Sequence, residues 1–87
     1  MSVVPQMIEA FIDRNVSRQQ IESDLVSHGL TVDMFNDEAN IVNHGKVTQV
    51  FVNVPIGTED AWVLKLPSIL PYIKEIDRLP DGFTDDW

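Results

Sequence analysis

The run from Val47 to Val54 is the feature that most limits how this chain can fold. It is rich in β-branched residues, which are enriched in strands. Side chains alternate between the two faces of a strand, so Val50, Val52 and Val54 share one face, and Val47, Gln49, Phe51 and Asn53 share the other. The chain is therefore expected to contain a β-sheet.

Two more segments are predicted to join this strand. Ala61 to Leu66 places Trp62, Leu64 and Leu66 on one face, which predicts a second long strand paired with the first as an antiparallel hairpin. Ile41–Val42 is predicted as a short third strand at one edge. His44–Gly45 and Pro55–Ile56–Gly57 have the composition of turns.

The first third of the chain has a helical pattern. From Val3 to Arg14, apolar residues recur at spacings of three and four: Val4, Met7, Ile8, Phe11 and Ile12. Ser17 followed by Gln20 has the capping-box pattern and predicts a second helix that ends near His28–Gly29. These two segments predict a pair of helices joined by a short turn.

Two other segments complete the predicted fold. Leu30 to Glu38 is ambiguous between a short third helix capped by Thr31, which we favour, and a strand. Ser68 is expected to cap a last helix that runs through Arg78. Residues 79–87 form an acidic and aromatic tail that either packs on the domain or stays flexible.

The predicted class is therefore α+β, as a single domain over residues 1–87. It comprises an N-terminal helical pair with an optional short third helix, a small antiparallel sheet of two to three strands, and a C-terminal helix with an acidic tail. An 87-residue chain has room for one modest core.

The charge balance limits the choice of partner. Fourteen acidic residues against six basic ones give a net charge of −8. Direct binding to nucleic acid or to an anionic membrane is not expected, because both need clustered Lys and Arg. A basic protein would be attracted, although the same charge could serve solubility alone.

Nothing in the sequence predicts catalysis. The chain has no cysteine, and its two histidines, His28 and His44, do not stand at a recognised metal-ligand spacing. We therefore expect no catalytic residue, no metal and no cofactor. No segment approaches the ~20 apolar residues that span a bilayer, and the start lacks a signal-peptide pattern. A cytoplasmic location is expected, with an unprocessed secreted protein as the remaining alternative.

Two groups of residues are predicted to contact a partner. Asp33, Asp37 and Glu38 lie between Ile21 and Val42, where the sequence has no Lys or Arg. The tail mixes carboxylates with large aromatic residues that suit a partner's pocket: Asp81, Phe83, Asp85, Asp86 and Trp87. Phe51 and Val63 are further expected to form an exposed apolar spot if helices cover only one face of the sheet.

The ending Asp85–Asp86–Trp87 and the residues Trp62–Val63 and Leu70–Pro71–Tyr72 resemble the immunity proteins of nuclease bacteriocins, which are also small, acidic and cytosolic. The likeness covers a small part of the chain and has no diagnostic motif.

The leading hypothesis is a stoichiometric binding or inhibitor protein that docks on a basic, nucleic-acid-handling protein, as an immunity protein or a phage or mobile-element inhibitor of a defence complex would. The alternative is an adaptor or assembly subunit that binds through apolar surface, and a small enzyme is a third hypothesis. A homodimer also stays open.

Overall fold

The computed structural model describes residues 6–41 and 45–79. The elements are β1 (Gln6–Asp13), α1 (Arg18–Val26), β2 (Thr31–Ile41), β3 (Gly45–Val54), α2 (Glu59–Ile69) and β4 (Ile73–Arg78). The strands form one sheet in the order β2-β3-β1-β4, and each neighbouring pair is antiparallel. This βαββαβ connectivity, with β1 and β3 in the centre, is the split βαβ arrangement of ferredoxin-like folds. Within the described ranges, no helix is long and apolar enough to cross a membrane.

Both helices pack on the same face of the sheet. The core cluster takes alternate residues of the two central strands: Ile8, Ala10 and Ile12 from β1 and Val50, Val52 and Val54 from β3. Ile21 and Leu25 of α1 and Leu66 of α2 pack against them, each no more than 2% exposed. The opposite face of the sheet is therefore covered by neither α1 nor α2, and this one-sided layering defines the candidate site below.

The predicted N-terminal helical pair is wrong, because the first of its two segments contains a strand. Over residues 6–13, the buried side chains alternate at Ile8, Ala10 and Ile12 with half-buried ones between them. β1 is a central strand with apolar residues on both faces, so apolar residues occur in adjacent pairs. Pairs such as Met7–Ile8 and Phe11–Ile12, four residues apart, also match the spacing of a helix.

The predicted short third helix and C-terminal helix are also wrong, and irregular pairing explains both. The register of β2 shifts between Val32 and Met34, so the core-facing Val32 and Phe35 are three residues apart instead of two. In β4 the register shifts opposite Phe11, and the core-facing Ile73 and Ile76 are likewise three apart. A bulge adds one residue to a strand. Here the extra residue changes the spacing of core-facing side chains from two, as in a regular strand, to three, as in a helix.

The predicted strand from Ala61 to Leu66 is a helix, α2. Leu66 is fully buried, whereas Leu64, which a strand would place on the same face, is 80% exposed. Trp62, Leu66 and Ile69 follow helical spacing towards the core, and Val63 packs there too instead of joining Phe51. Pro67 lies inside α2 and does not end it.

Other local predictions are confirmed. The hydroxyl of Ser17 accepts a hydrogen bond from the backbone N–H of Gln20 at 3.1 Å and caps α1. Gly29 adopts a φ of 79°, in the left-handed region that suits glycine after a helix. The strand from Val47 to Val54 is present within β3, and the α+β class holds. The predicted sheet of two to three strands is wrong, because the sheet has four strands. Ile41 ends β2, while Val42 and His44 lie outside the described residues.

Candidate functional site: the open face of the sheet

The face of the sheet opposite the helices forms a surface that we call the open face. Directly opposed residues of neighbouring strands share a face, so the register defines its rows. From β2 across β3 and β1 to β4, one row is Met34, Phe51, Glu9 and Asp77, and the next is Asn36, Gln49, Phe11 and Glu75. A shorter row holds Thr31, Asn53 and Met7. The open face thus combines apolar and polar side chains contributed by all four strands.

Its β4 side carries a pair of carboxylates. Glu9 on β1 stands opposite Asp77 on β4. Partial burial and the neighbouring charge of Asp77 raise the pKa of Glu9, while a hydrogen bond from Gln49 opposes this rise. The ion pairs found between described residues engage Asp13, Asp37 and Asp60 rather than these two. The fold therefore keeps two like charges close together on this surface.

Hydrogen bonds between side chains hold the polar groups of the open face in place. Asn36 Nδ2 donates to Gln49 Oε1 at 3.1 Å, and Gln49 in turn hydrogen-bonds Glu9. Asn53 Nδ2 donates to Thr31 Oγ1 at 3.2 Å. These contacts link β2, β3 and β1 across the surface. Because the side chains are already ordered, less conformational entropy is lost when a partner binds.

The apolar part of the open face lies in its middle and towards β2. Phe11 and Phe51 lie diagonally on the two central strands and are both half-buried. Met34, opposite Phe51, is 52% exposed, and Met7 is half-buried near the other end of β1. Methionine is flexible and polarisable, so it adapts to varied binding partners. These two rows of the open face therefore run from the uncharged Met34 and Asn36 on β2 to Asp77 and Glu75 on β4.

The described cations are mostly engaged within the fold. Arg18 pairs with the carboxylate of Asp37 and stacks over Phe35 at 5.1 Å, while Arg14 donates to the Asp37 carbonyl. Two further ion pairs join Arg78 to Asp60, with 3.0 Å between Nη1 and Oδ1, and Lys74 to Asp13, with 3.6 Å between Nζ and Oδ2. Lys74 thus brings one cation to an end of the open face. These pairings leave the acidic excess without internal compensation.

The structure separates the predicted partner-binding residues of β2 from the carboxylate pair. Asp33, Asp37 and Glu38 belong to β2, at the sheet edge opposite β4. Asp33 is exposed where the register shifts, and Asp37 is engaged by Arg18. The tail residues Asp81, Phe83, Asp85, Asp86 and Trp87 lie outside the described residues. No contact with a partner tests either group, so both stay predictions.

Sequence reasoning missed Glu9 and Asp77. The helical pattern of Val3 to Arg14 leaves Glu9 off its apolar stripe, and the predicted last helix contains Asp77. Only the antiparallel register of β1 with β4 brings the two carboxylates together. The alternation of Ile8, Glu9 and Ala10 is the one local signal that favours a strand here.

A second polar network joins α1 to the turn before β4. Tyr72 Oη donates to Asp24 Oδ2 at 2.6 Å, and Gln20 Nε2 donates to both carboxylate oxygens at 3.0 Å. These bonds lower the pKa of Asp24. Burial, with Asp24 beside the hydroxyl, raises the pKa of Tyr72 far above its ordinary value. These hydrogen bonds connect α1 to the turn before β4, and we assign them a structural role.

A shallow groove of about 460 Å³ lies between α1 and the edge strand β2, lined by Gln19, Glu22, Ser23, Val26, Thr31 and Val32. The register shift after Val32 interrupts the strand edge there, which disfavours addition of a partner strand. Among the described residues, no group of His, Asp and Glu is arranged to hold a metal ion. The open face is therefore the best-organised candidate for binding.

The comparisons with known proteins add no family to this description. No protein-family model matches the chain, and neither a curated protein nor a solved structure matches it.

Proposed function

We propose that this chain is a stoichiometric binding or inhibitor protein that docks on a basic, nucleic-acid-handling protein. An immunity protein for a nuclease toxin, or an inhibitor carried by a phage or mobile element against a host defence complex, would act in this way. Such a protein would work in the cytoplasm without a cofactor and without catalysis of its own.

One observation carries the proposal: a net charge of −8 on a fold in which three of the six basic side chains, Arg18, Lys74 and Arg78, are engaged in ion pairs between described residues. Charges that are not compensated inside a protein attract a partner of opposite sign and speed its association. Proteins that handle nucleic acid carry clustered Lys and Arg for phosphate binding, so they present such a surface. A small acidic protein on that surface would block it.

The alternative is an adaptor or assembly subunit that binds through apolar surface, with the charge serving solubility. Large apolar side chains exposed outside the open face favour it: Leu64 at 80%, Val26 at 62% and Ile56 at 58% exposure. They belong to α2, α1 and the turn before α2, and single exposed apolar side chains are common on protein surfaces. We therefore rank this function second.

A homodimer formed by joining two β4 edges is disfavoured by charge. Antiparallel pairing of two β4 strands with their open faces on the same side puts Glu75 opposite a second Glu75, or Glu75 opposite Asp77, depending on the register. Like charges directly opposite each other destabilise a sheet. This edge is therefore protected against self-association.

The proposed function is tested by affinity capture of the chain's partners from its native host, with elution by a salt gradient. Electrostatic docking predicts that a basic nuclease or nucleic-acid complex elutes at moderate salt, because exposed charges are screened. A partner retained at high salt would contradict the proposal and favour the apolar adaptor. Recovery of the chain alone as a homo-oligomer would also contradict it.

A further inference from the structure

We infer that the open face is the docking surface, and that it receives an arginine-bearing apolar segment of the basic partner. This inference rests on the proposed function and adds to it the place of contact, the orientation of the partner and the type of cation. The expected occupant is a segment of a partner protein, not a second copy of this chain and not RNA.

The orientation of the partner segment on the open face follows from the row Met34, Phe51, Glu9 and Asp77. A cation above Glu9 meets the Glu9 carboxylate, the Asp77 carboxylate on its β4 side and the ring of Phe51 on its β3 side. Apolar side chains of the same segment then lie over Phe51, Met34 and Phe11. Interfaces of this kind bury apolar anchors in the centre and place charged groups at the rim.

Arginine suits this position better than lysine. Its planar guanidinium binds carboxylates through two hydrogen bonds and stacks on aromatic rings, whereas the lysine ammonium is a compact and strongly hydrated charge. The chain already uses this combination internally, where Arg18 pairs with Asp37 while it stacks over Phe35. Glu9 and Asp77 beside Phe51 offer the same two chemical groups to an external side chain.

RNA is the competing occupant, because one class of four-stranded sheet, the RNA-recognition motif, stacks bases on aromatic side chains of its sheet. Phe11 on β1 and Phe51 on β3 meet that requirement. The open face, however, places Glu9, Glu75 and Asp77 where a phosphate backbone would need cations. Lys74, at one end of the open face, is engaged by Asp13. The charge pattern therefore favours a cationic protein segment.

The test uses the full chain and an end-blocked peptide of alternating arginine and leucine, titrated by calorimetry at low and high salt. The face variant is Glu9→Gln with Asp77→Asn. Its matched control is Glu22→Gln with Asp60→Asn, which removes the same charge from exposed residues of α1 and α2. We expect the face variant to raise the Kd about tenfold and the control to change it less than about twofold, since local contacts outweigh net charge.

Each other outcome has a separate meaning. Equal weakening by both variants would overturn the docking surface while leaving docking by net charge intact. A loss of affinity on Phe51→Ala without any loss in the face variant would overturn the cationic occupant. Tight binding of a single-stranded oligouridine that depends on Phe51 would overturn the protein segment in favour of RNA. If the peptide does not bind and the captured partner resists salt, the proposed function itself fails.

Discussion

At the scale of single residues, the fold shifts two carboxylates in opposite directions. Burial and Asp77 raise the pKa of Glu9, whereas the Tyr72 hydroxyl and the Gln20 amide lower the pKa of Asp24. A raised pKa means that ionised Glu9 opposes folding, so its favourable contribution exists at low pH and is lost as pH rises through its folded-state pKa. The ionised form of Asp24 favours folding, and that contribution is lost as pH falls through its folded-state pKa.

The Glu9→Gln substitution should therefore stabilise the protein at neutral pH. Removal of a like charge opposite Asp77 is expected to raise the free energy of unfolding by about 0.5 kcal/mol, the size of a cross-strand pair. Urea unfolding at neutral pH measures this gain, which should vanish below the ordinary glutamate pKa because Glu9 is then protonated. Glu22→Gln on the exposed side of α1 is the control. A loss of stability in Glu9→Gln at neutral pH would contradict this account.

The Tyr72→Phe substitution should destabilise the protein at neutral pH. It removes the 2.6 Å hydrogen bond to Asp24 and should cost about 1 kcal/mol in urea unfolding. The cost should shrink as pH falls through the Asp24 pKa, because the carboxylate is then neutral. In an Asp24→Asn background the same change should cost less. An unchanged cost in that background would show that the hydrogen bond is not its cause.

At the scale of elements, sequence patterns identified β3 and the start of α1 but not β1, β2, α2 or β4. The hydrophobic patterns of β2 and β4 resemble those of helices because register shifts put core-facing residues three apart, as at Val32 and Phe35. Such shifts depend on the neighbouring strand, so a single segment does not reveal them. The alternation of Trp62, Leu64 and Leu66 predicted a strand where the structure has a helix, and on that helix Leu64 faces solvent.

Two leucines of α2 test this assignment directly. Leu66→Ala removes a fully buried side chain and should lower the free energy of unfolding by about 3 kcal/mol. Leu64→Ala makes the same chemical change at a position that is 80% exposed, and should cost less than about 0.5 kcal/mol. Urea unfolding of the two variants gives both values. Similar large losses would contradict the helix, because only a strand places both side chains on one buried face.

At the scale of the whole molecule, α1 and α2 cover one face of the sheet, and neither of them covers the open face. The sequence predicts a basic partner and contacts at Asp33, Asp37, Glu38 and the tail, and both stay predictions. The Glu9–Asp77 pair escaped prediction because its members are far apart in the sequence and meet only through the pairing of β1 with β4. The net charge can be counted from the sequence, whereas the residues that share one face of the sheet depend on the register between strands.

The central claim, that a partner docks on the open face, is tested most directly by the methionine methyl groups. Met7 and Met34 both belong to this face, in neighbouring rows and on two different strands. We would record methyl spectra of the full chain, labelled at methionine, isoleucine and leucine, during titration with the captured partner. The account predicts that the Met7 and Met34 signals shift most. Unchanged signals at both methionines, together with shifts at Leu64 and Ile56, would contradict it and place the contact on the helical side.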